Sequence, residues 1–261
     1  MDLSFHAALA DPYTSAQQKI KNLSEHWFSQ QAYCPNCGQL RISQYRNNRP
    51  VADFFCSSCN EDYELKSQAR TFGPSVVDGA YRTMIERLKS SSNPSLFLLH
   101  YDPRCLAVLN LLVVPKYFFV PRIIVERKPL GPLAYRAGWI GCYISLQEVP
   151  LAGRIFLIRN GVVEQQDGVL DKWRRVLFLR DEKDVRAKGW VLQVMKCIEK
   201  IGNSTFTIEE MYRFEDELRY VFPLNRHIKE KIRQQLQVLR DKEYLEFLGR
   251  GTYRLTGTRR E

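Results

Sequence analysis

Cys34-Pro-Asn-Cys37, then Asn48-Arg-Pro-Val-Ala-Asp53-Phe-Phe-Cys56-Ser-Ser-Cys59, then Tyr63-Glu64-Leu65-Lys66 interleave two kinds of chemistry within one short segment of this 261-residue chain. Each Cys-x-x-Cys turn aims two thiolates at one point, and an 18-residue gap separates Cys37 from Cys56. That spacing suits a tetrahedral, four-thiolate zinc site with no open coordination position. A redox role fits less well, because there are two such motifs and no thioredoxin-like strand and helix around them. Glu64 and Lys66 are two apart and share one face if the segment is a strand. A hairpin with Cys56 and Cys59 near its tip brings Asp53 beside Glu64. Two carboxylates of this kind, with the Leu65 carbonyl, make a hard-oxygen site for Mg²⁺, and Lys66 beside it holds a water and offsets charge on a phosphate. The set reads as a metal-dependent phosphodiesterase site braced by the zinc ligands Cys34, Cys37, Cys56 and Cys59.

The rest of the chain is ordinary globular material, 44% hydrophobic and 26% charged, with enough length for one large domain or two smaller ones. The net charge is +10, which favours a polyanionic partner such as nucleic acid. From Arg226 to Glu261 ten Lys/Arg stand against five Asp/Glu, so half the excess lies in the last 36 residues. Cys105, Cys142 and Cys197 stand alone in apolar surroundings, unlike a disulfide scaffold. The start Met-Asp-Leu-Ser-Phe-His lacks a signal-peptide pattern, and the longest apolar runs are too short to span a bilayer. These features predict a cytoplasmic protein with no membrane partner.

Periodicity predicts an amphipathic helix over Tyr13 to Phe28, an irregular cysteine-bearing stretch to Glu64, and a helix over Ser75 to Leu88 opened by a Ser75-x-x-Asp78 capping pattern. Buried strands follow at Leu96 to Tyr101, Val108 to Val114, Ile140 to Leu146 and Arg154 to Ile158, with a proline-rich loop from Pro115 to Gly138. The charged run Arg180 to Lys188 marks a domain boundary, giving residues 1–182 and 183–261.

Beyond that boundary the pattern is helix (Trp190 to Ile201), capping box Thr207-x-x-Glu210 and a second helix to about Tyr220, then a third helix from an Asn225 N-cap to about Leu239. Two short strands around Leu-Gly-Arg-Gly close the pattern as a hairpin, and the whole reads as a winged helix-turn-helix. On the third helix Ile228, Ile232, Leu236 and Leu239 share one face. The other face offers Arg226, His227, Glu230, Arg233, Gln234 and Gln237, with Lys229 and Lys231 on its flanks. Arg suits guanine edges, Gln adenine edges and Lys phosphates. Arg250 sits at the wing tip. A second candidate reader is the loop Tyr135-Arg136-Ala-Gly-Trp139-Ile-Gly, where an indole between glycines can approach DNA closely. Thr256 to Glu261 reads as a disordered tail.

The stretches Asn48-Arg-Pro-Val-Ala-Asp-Phe and Glu64-Leu-Lys-Ser resemble the active-site hairpin of the PD-(D/E)xK nuclease superfamily. With both cysteine pairs, Arg136-Ala-Gly-Trp-Ile-Gly-Cys142, Met211-Tyr-Arg-Phe-Glu215 and His227-Ile-Lys-Glu-Lys-Ile-Arg-Gln-Gln-Leu-Gln237, the whole chain resembles the DpnI-like family of methyl-directed restriction endonucleases. That resemblance implies an α/β nuclease core with a mixed sheet flanked by helices and an inserted zinc site, followed by a winged-helix domain. It implies a type II site-specific deoxyribonuclease, acting as a monomer, that cuts duplex DNA at G-A-T-C carrying methylated adenine and leaves 5′-phosphates. Asp53, Glu64 and Lys66 then match the catalytic set, and the four knuckle cysteines the zinc ligands. Tyr135 departs from the pattern, standing where the family has a basic residue. Two other readings stay open: a non-catalytic zinc-ribbon and winged-helix regulator, which has no need of Asp53, Glu64 and Lys66, and a nuclease of the same superfamily with a repair or structure-specific role.

Overall fold

A computed structural model describes residues 1–46, 52–90 and 93–257. The Asn48 to Val51 part of the Asn48–Phe54 motif lies outside the described residues. The chain divides into two compact units, Met1–Glu148 with Ala152–Arg174, and Val149–Leu151 with Arg175–Glu261. Along the chain the compact units change over between Arg174 and Arg175. The 3-10 helix Leu177–Arg180 belongs to the second unit, where Phe178 meets the Tyr244 ring at 6.0 Å.

In the first unit α1 (Ala16–Gln31) forms because Leu23, Trp27 and Phe28 recur at helical spacing and are buried together. It starts three residues later than the periodicity implied. The strands are β1 (Ser43–Gln44), β2 (Phe54–Phe55), β3 (Asp62–Gln68), β4 (Ser75–Ala80), β5 (Ser95–Asp102), β6 (Ala107–Val114), β7 (Ile124–Glu126), β8 (Gly141–Ser145), β9 (Ile155–Arg159) and β10 (Val162–Val163). Seven of them form one mixed sheet in the order β1-β2-β3-β5-β6-β9-β10. Only β3 and β5 run parallel among these pairs. Strands β4, β8 and β7 form a second, antiparallel sheet.

The apolar runs of β5 and β6 are buried nearly end to end, as expected for central strands. Beneath the β2–β3 hairpin lies an aromatic cluster. The Phe28 ring is 4.7 Å from both Phe54 and Phe97, Tyr63 is 5.2 Å from Phe97, and all four are fully buried. Packing of this kind gives the hairpin that carries Asp53 and Glu64 a rigid floor.

Three local expectations fail, the first being the irregular stretch to Glu64, which holds β1, β2 and the start of β3. Ser75 to Ala80 is a strand, and the helix α2 (Tyr81–Ser90) begins only after it. The capping pattern loses to pairing with β8, where Val76 lies opposite the buried Ile144. The loop from Pro115 to Gly138 contains β7, which pairs with the other edge of β8. A further helix, α3 (Gln166–Arg174), went unread. Gly168 weakens its propensity, and burial of Val169, Leu170 and Trp173 makes up for it.

In the second unit α4 (Val185–Ile201) begins inside the charged run. Asp184 Oδ1 accepts from the Arg186 amide at 2.7 Å and the Ala187 amide at 3.3 Å, so part of that run is an N-cap rather than a linker. The capping box is present: Thr207 Oγ1 accepts from the Glu210 amide, and Glu210 Oε2 accepts from the Thr207 amide. It opens α5 (Ile208–Tyr212), but the expected single helix breaks, and α6 (Glu215–Val221) follows with three acidic residues in its first turn. The third expected helix is α7 (Ile228–Asp241). Its N-cap is His227, not Asn225; Asn225 Oδ1 accepts from the His227 amide at 2.8 Å instead. Strands β11 (Thr205–Thr207), β12 (Leu245–Gly249) and β13 (Thr252–Leu255) form a small sheet in the order β11-β13-β12. Thr256, expected in the tail, is tied down by its hydroxyl, which donates to the Glu243 carbonyl at 2.6 Å; residues 258–261 lie outside the described residues.

No helix of the described residues is long and apolar enough to cross a membrane.

Candidate functional site

The two cysteine turns fold alike. The Cys34 amide donates to the Gln39 carbonyl and the Gly38 amide to the Cys34 carbonyl, each at 2.8 Å. The Cys56 amide donates to Glu61 and the Asn60 amide to Cys56, each at 2.9 Å. The residue after each second cysteine takes positive φ, Gly38 at 83° and Asn60 at 58°, which glycine and asparagine tolerate best. The four sulfurs lie within 4.8 Å of one another, with Cys34 and Cys59 3.6 Å apart and Cys37 and Cys56 3.5 Å apart. A tetrahedral zinc with bonds of about 2.3 Å needs sulfurs about 3.8 Å apart, so the quartet is compatible with zinc. Burial pushes the Cys34 thiol well above its usual range, an arrangement that a bound cation reverses.

Outer contacts hold this quartet in place. The Tyr63 hydroxyl is 3.0 Å from Cys34 Sγ, and Asn36 Nδ2 donates to Cys59 Sγ at 3.2 Å. Asn36 Oδ1 in turn accepts from Trp173 Nε1 at 3.0 Å, and Gln166 Nε2 donates to the Gly38 carbonyl at 3.0 Å. The unread helix α3 therefore braces the first knuckle. The buried Glu61 carboxylate, next to the second knuckle, accepts from Ser95 Oγ at 2.8 Å and pairs with Lys116 Nζ at 3.0 Å.

On the same hairpin the Asp53 amide donates to the Tyr63 carbonyl, and the Leu65 amide donates to Asp53 Oδ2 at 2.9 Å. Asp53 is thus fixed beside Glu64 and Leu65. All three line a cleft of about 420 Å³ with Glu25, Lys21 and Ser24 of α1. Ser24 Oγ lies 2.9 Å from Ser67 Oγ, tying α1 to β3 at the cleft floor. Lys66 Nζ meets Glu64 Oε1 at 2.8 Å and, on its other side, Asp78 Oδ1 at 2.8 Å.

The electrostatics follow from burial. Desolvation raises the Glu64 carboxyl above its ordinary value; Lys66 pulls it down and the Asp78 charge pushes it up. Burial works against the charged form of Lys66, but the Glu64 and Asp78 carboxylates outweigh it and hold the ammonium above the ordinary lysine range. Glu25 is also raised, chiefly by burial, with Lys21 opposing and Asp53 adding to it. The helix-start pattern at Ser75 hides Asp78, which lies on a strand, and nothing local in the sequence marks Glu25.

The residues expected to read DNA from the second unit lie on or beside α7 and at the β12–β13 turn. Arg226, His227, Lys229, Glu230, Arg233, Gln234 and Gln237 are exposed on or just before α7, while Ile228, Ile232, Leu236 and Leu239 are buried. Lys229 and Arg233 lie over the Tyr212 ring at 5.4 and 5.7 Å, and Lys231 is half-buried and donates to Gln234 Oε1 at 2.7 Å. Arg250 is exposed at the wing tip with φ of 48°. In the first unit, Arg136 and Tyr135 are exposed in the loop before β8, and Trp139 is half-buried. The Trp139 ring lies flush on Gly141, where an added Cβ would stand 2.8 Å from it.

Family comparison agrees with both halves of this arrangement. Residues 1–182 match the family described as DpnI, Dam-replacing family, and residues 186–255 match the Dam-replacing HTH domain, which assigns the second unit to DNA binding. From its cysteine hairpin to its winged helix, this chain belongs to the DpnI, Dam-replacing family.

Proposed function

We propose that the protein is a Mg²⁺-dependent, methyl-directed restriction endonuclease that hydrolyses duplex DNA at G-A-T-C sites bearing methylated adenine, leaving 5′-phosphate ends. The observation that supports this reading is that Asp53 and Glu64, on one hairpin, line a cleft, with Lys66 paired to Glu64 at 2.8 Å, in a chain of this family.

In this reading Asp53, Glu64 and the Leu65 carbonyl hold the divalent cation, which when bound offsets charge on the phosphate and lowers the pKa of water. Asp53 keeps one carboxylate oxygen on the Leu65 amide, which fixes the side chain beside the cleft it lines. Lys66 positions the attacking water and opposes the negative charge that grows on the scissile phosphate. Four cysteines hold a structural zinc that locks the hairpin tip, so the carboxylates need no reorganisation when DNA arrives. Arg226, His227, Lys229, Lys231, Arg233, Gln234, Gln237 and Arg250 contact DNA from the winged helix, and Arg136 and Trp139 from the first unit. The protein acts as a monomer in the cytoplasm, against incoming methylated DNA.

The test is direct. Zinc-loaded protein is incubated with Mg²⁺ and plasmid grown with or without adenine methylation. The expected result is fragments from the methylated plasmid alone. Intact methylated plasmid rejects the nuclease reading; equal cutting of both rejects the methyl requirement.

A further inference from the structure

Lys66 is gripped from two sides by groups with different fates. Glu64 lies on its own strand, two residues away, and belongs to the proposed cation site. Asp78 lies on β4, in the other sheet of the unit, and takes no part in lining the cleft. Its side chain is 8% exposed, less than that of Glu64 or Lys66. A cation bound by Glu64 competes with Lys66 for the same carboxylate. Asp78 is the anchor left for the ammonium when that happens. Resting on the nuclease reading above, we infer that Asp78 is the positioning residue for Lys66, holding its ammonium beside the scissile phosphate independently of Glu64.

Strand pairing puts Asp78 there and keeps it there. It sits opposite Cys142 on β8, and the ladder slips by one residue between Asp78 and Ala80, leaving Gly79 as a bulge. The Cys142 thiol donates to the Gly79 carbonyl at 3.5 Å, and the Tyr81 amide donates to Ile140 just beyond. Bulges of this kind re-aim a side chain next to an active site. Here the bulge follows the residue that meets Lys66.

The experiment compares wild type with Asp78→Asn, which preserves shape, and Asp78→Ala. Three quantities are read: kcat and KM on methylated plasmid with the Mg²⁺ dependence, DNA affinity with Ca²⁺ in place of Mg²⁺, and acylation of Lys66 relative to the exposed Lys172 by peptide mass. A positioning role predicts kcat lowered by about 10–100-fold in Asp78→Ala, in the range of other outer-contact substitutions, and by less in Asp78→Asn. KM, Mg²⁺ dependence and DNA affinity stay within about twofold, because no ligand of either is removed. Lys66 acylation rises in the alanine variant. Wild-type kcat in a folded Asp78→Ala protein, a loss confined to KM, or unchanged Lys66 acylation in Asp78→Ala overturns the inference. Wild-type protein that cuts no methylated DNA rejects the nuclease reading instead, and the acylation result then decides the Asp78 anchor by itself.

Discussion

Replacing Lys66 with methionine removes the one positive charge between Glu64 and Asp78 while retaining most of the side chain's bulk. The ammonium lies 2.8 Å from each carboxylate, and the three side chains are 24%, 22% and 8% exposed for Lys66, Glu64 and Asp78. Deleting one partner of a buried pair costs about 3–5 kcal/mol, and partial exposure of Lys66 and Glu64 sets the expectation near the low end, about 3 kcal/mol. The loss depends on pH. Glu64 has a folded-state pKa raised above its ordinary 4.5 by burial, and Lys66 is the group pulling it back down. Without Lys66 the carboxyl rises further. Below about pH 4.5 it is protonated in folded and unfolded chains alike and contributes nothing. Just above that both proteins lose stability in parallel, because Glu64 is raised in each; once the wild-type carboxyl has ionised, the variant's is still protonated in the fold, so its deficit grows with pH by up to about 1.4 kcal/mol per unit until its own, higher folded pKa is passed. Urea unfolding of both proteins at several pH values, without added Mg²⁺, measures this. A variant as stable as wild type at pH 7.5, or a deficit that does not change with pH, refutes the geometry. Cleavage of methylated plasmid is lost at every pH.

Zinc removal is the next test: metal analysis should find about one zinc per chain, and a chelator or Cys59→Ser should lower the thermal midpoint and abolish cleavage even with Mg²⁺ in excess. Gly141→Ala places a Cβ 2.8 Å from the Trp139 ring and displaces it; if that ring covers the adenine methyl, preference for methylated duplex should fall by about fourfold, the equivalent of one buried methyl at about 0.8 kcal/mol, as it should in Trp139→Ala. Unchanged preference in both variants removes Trp139 from methyl reading. Lys229→Ala should weaken binding evenly across sequences and reduce the salt-dependence slope by about 0.9, the signature of one lost phosphate contact; a loss confined to one sequence would contradict that assignment.

Sequence alone determined the features that depend on near neighbours. The cysteine turns, with Gly38 and Asn60 supplying positive φ, are complete within six residues each. The Thr207–Glu210 box and the two faces of α7 are set by spacings of three and four residues. Glu64 and Lys66 meet because strand alternation puts them on one side. Tertiary structure decided whatever depended on distant partners. Residues 75–80 carry a helix-start pattern, yet form a strand because β8, more than sixty residues later, offers them a ladder. That pairing alone brings Asp78 to Lys66. Helix α3 has a weak local pattern and holds by burying Trp173, whose indole then reaches Asn36 across the fold. The physical reason is the same in each case. Caps, turns and alternation are decided by a few bonds between residues close in the chain, whereas a β-ladder or a buried indole gains its free energy only after a long loop has closed.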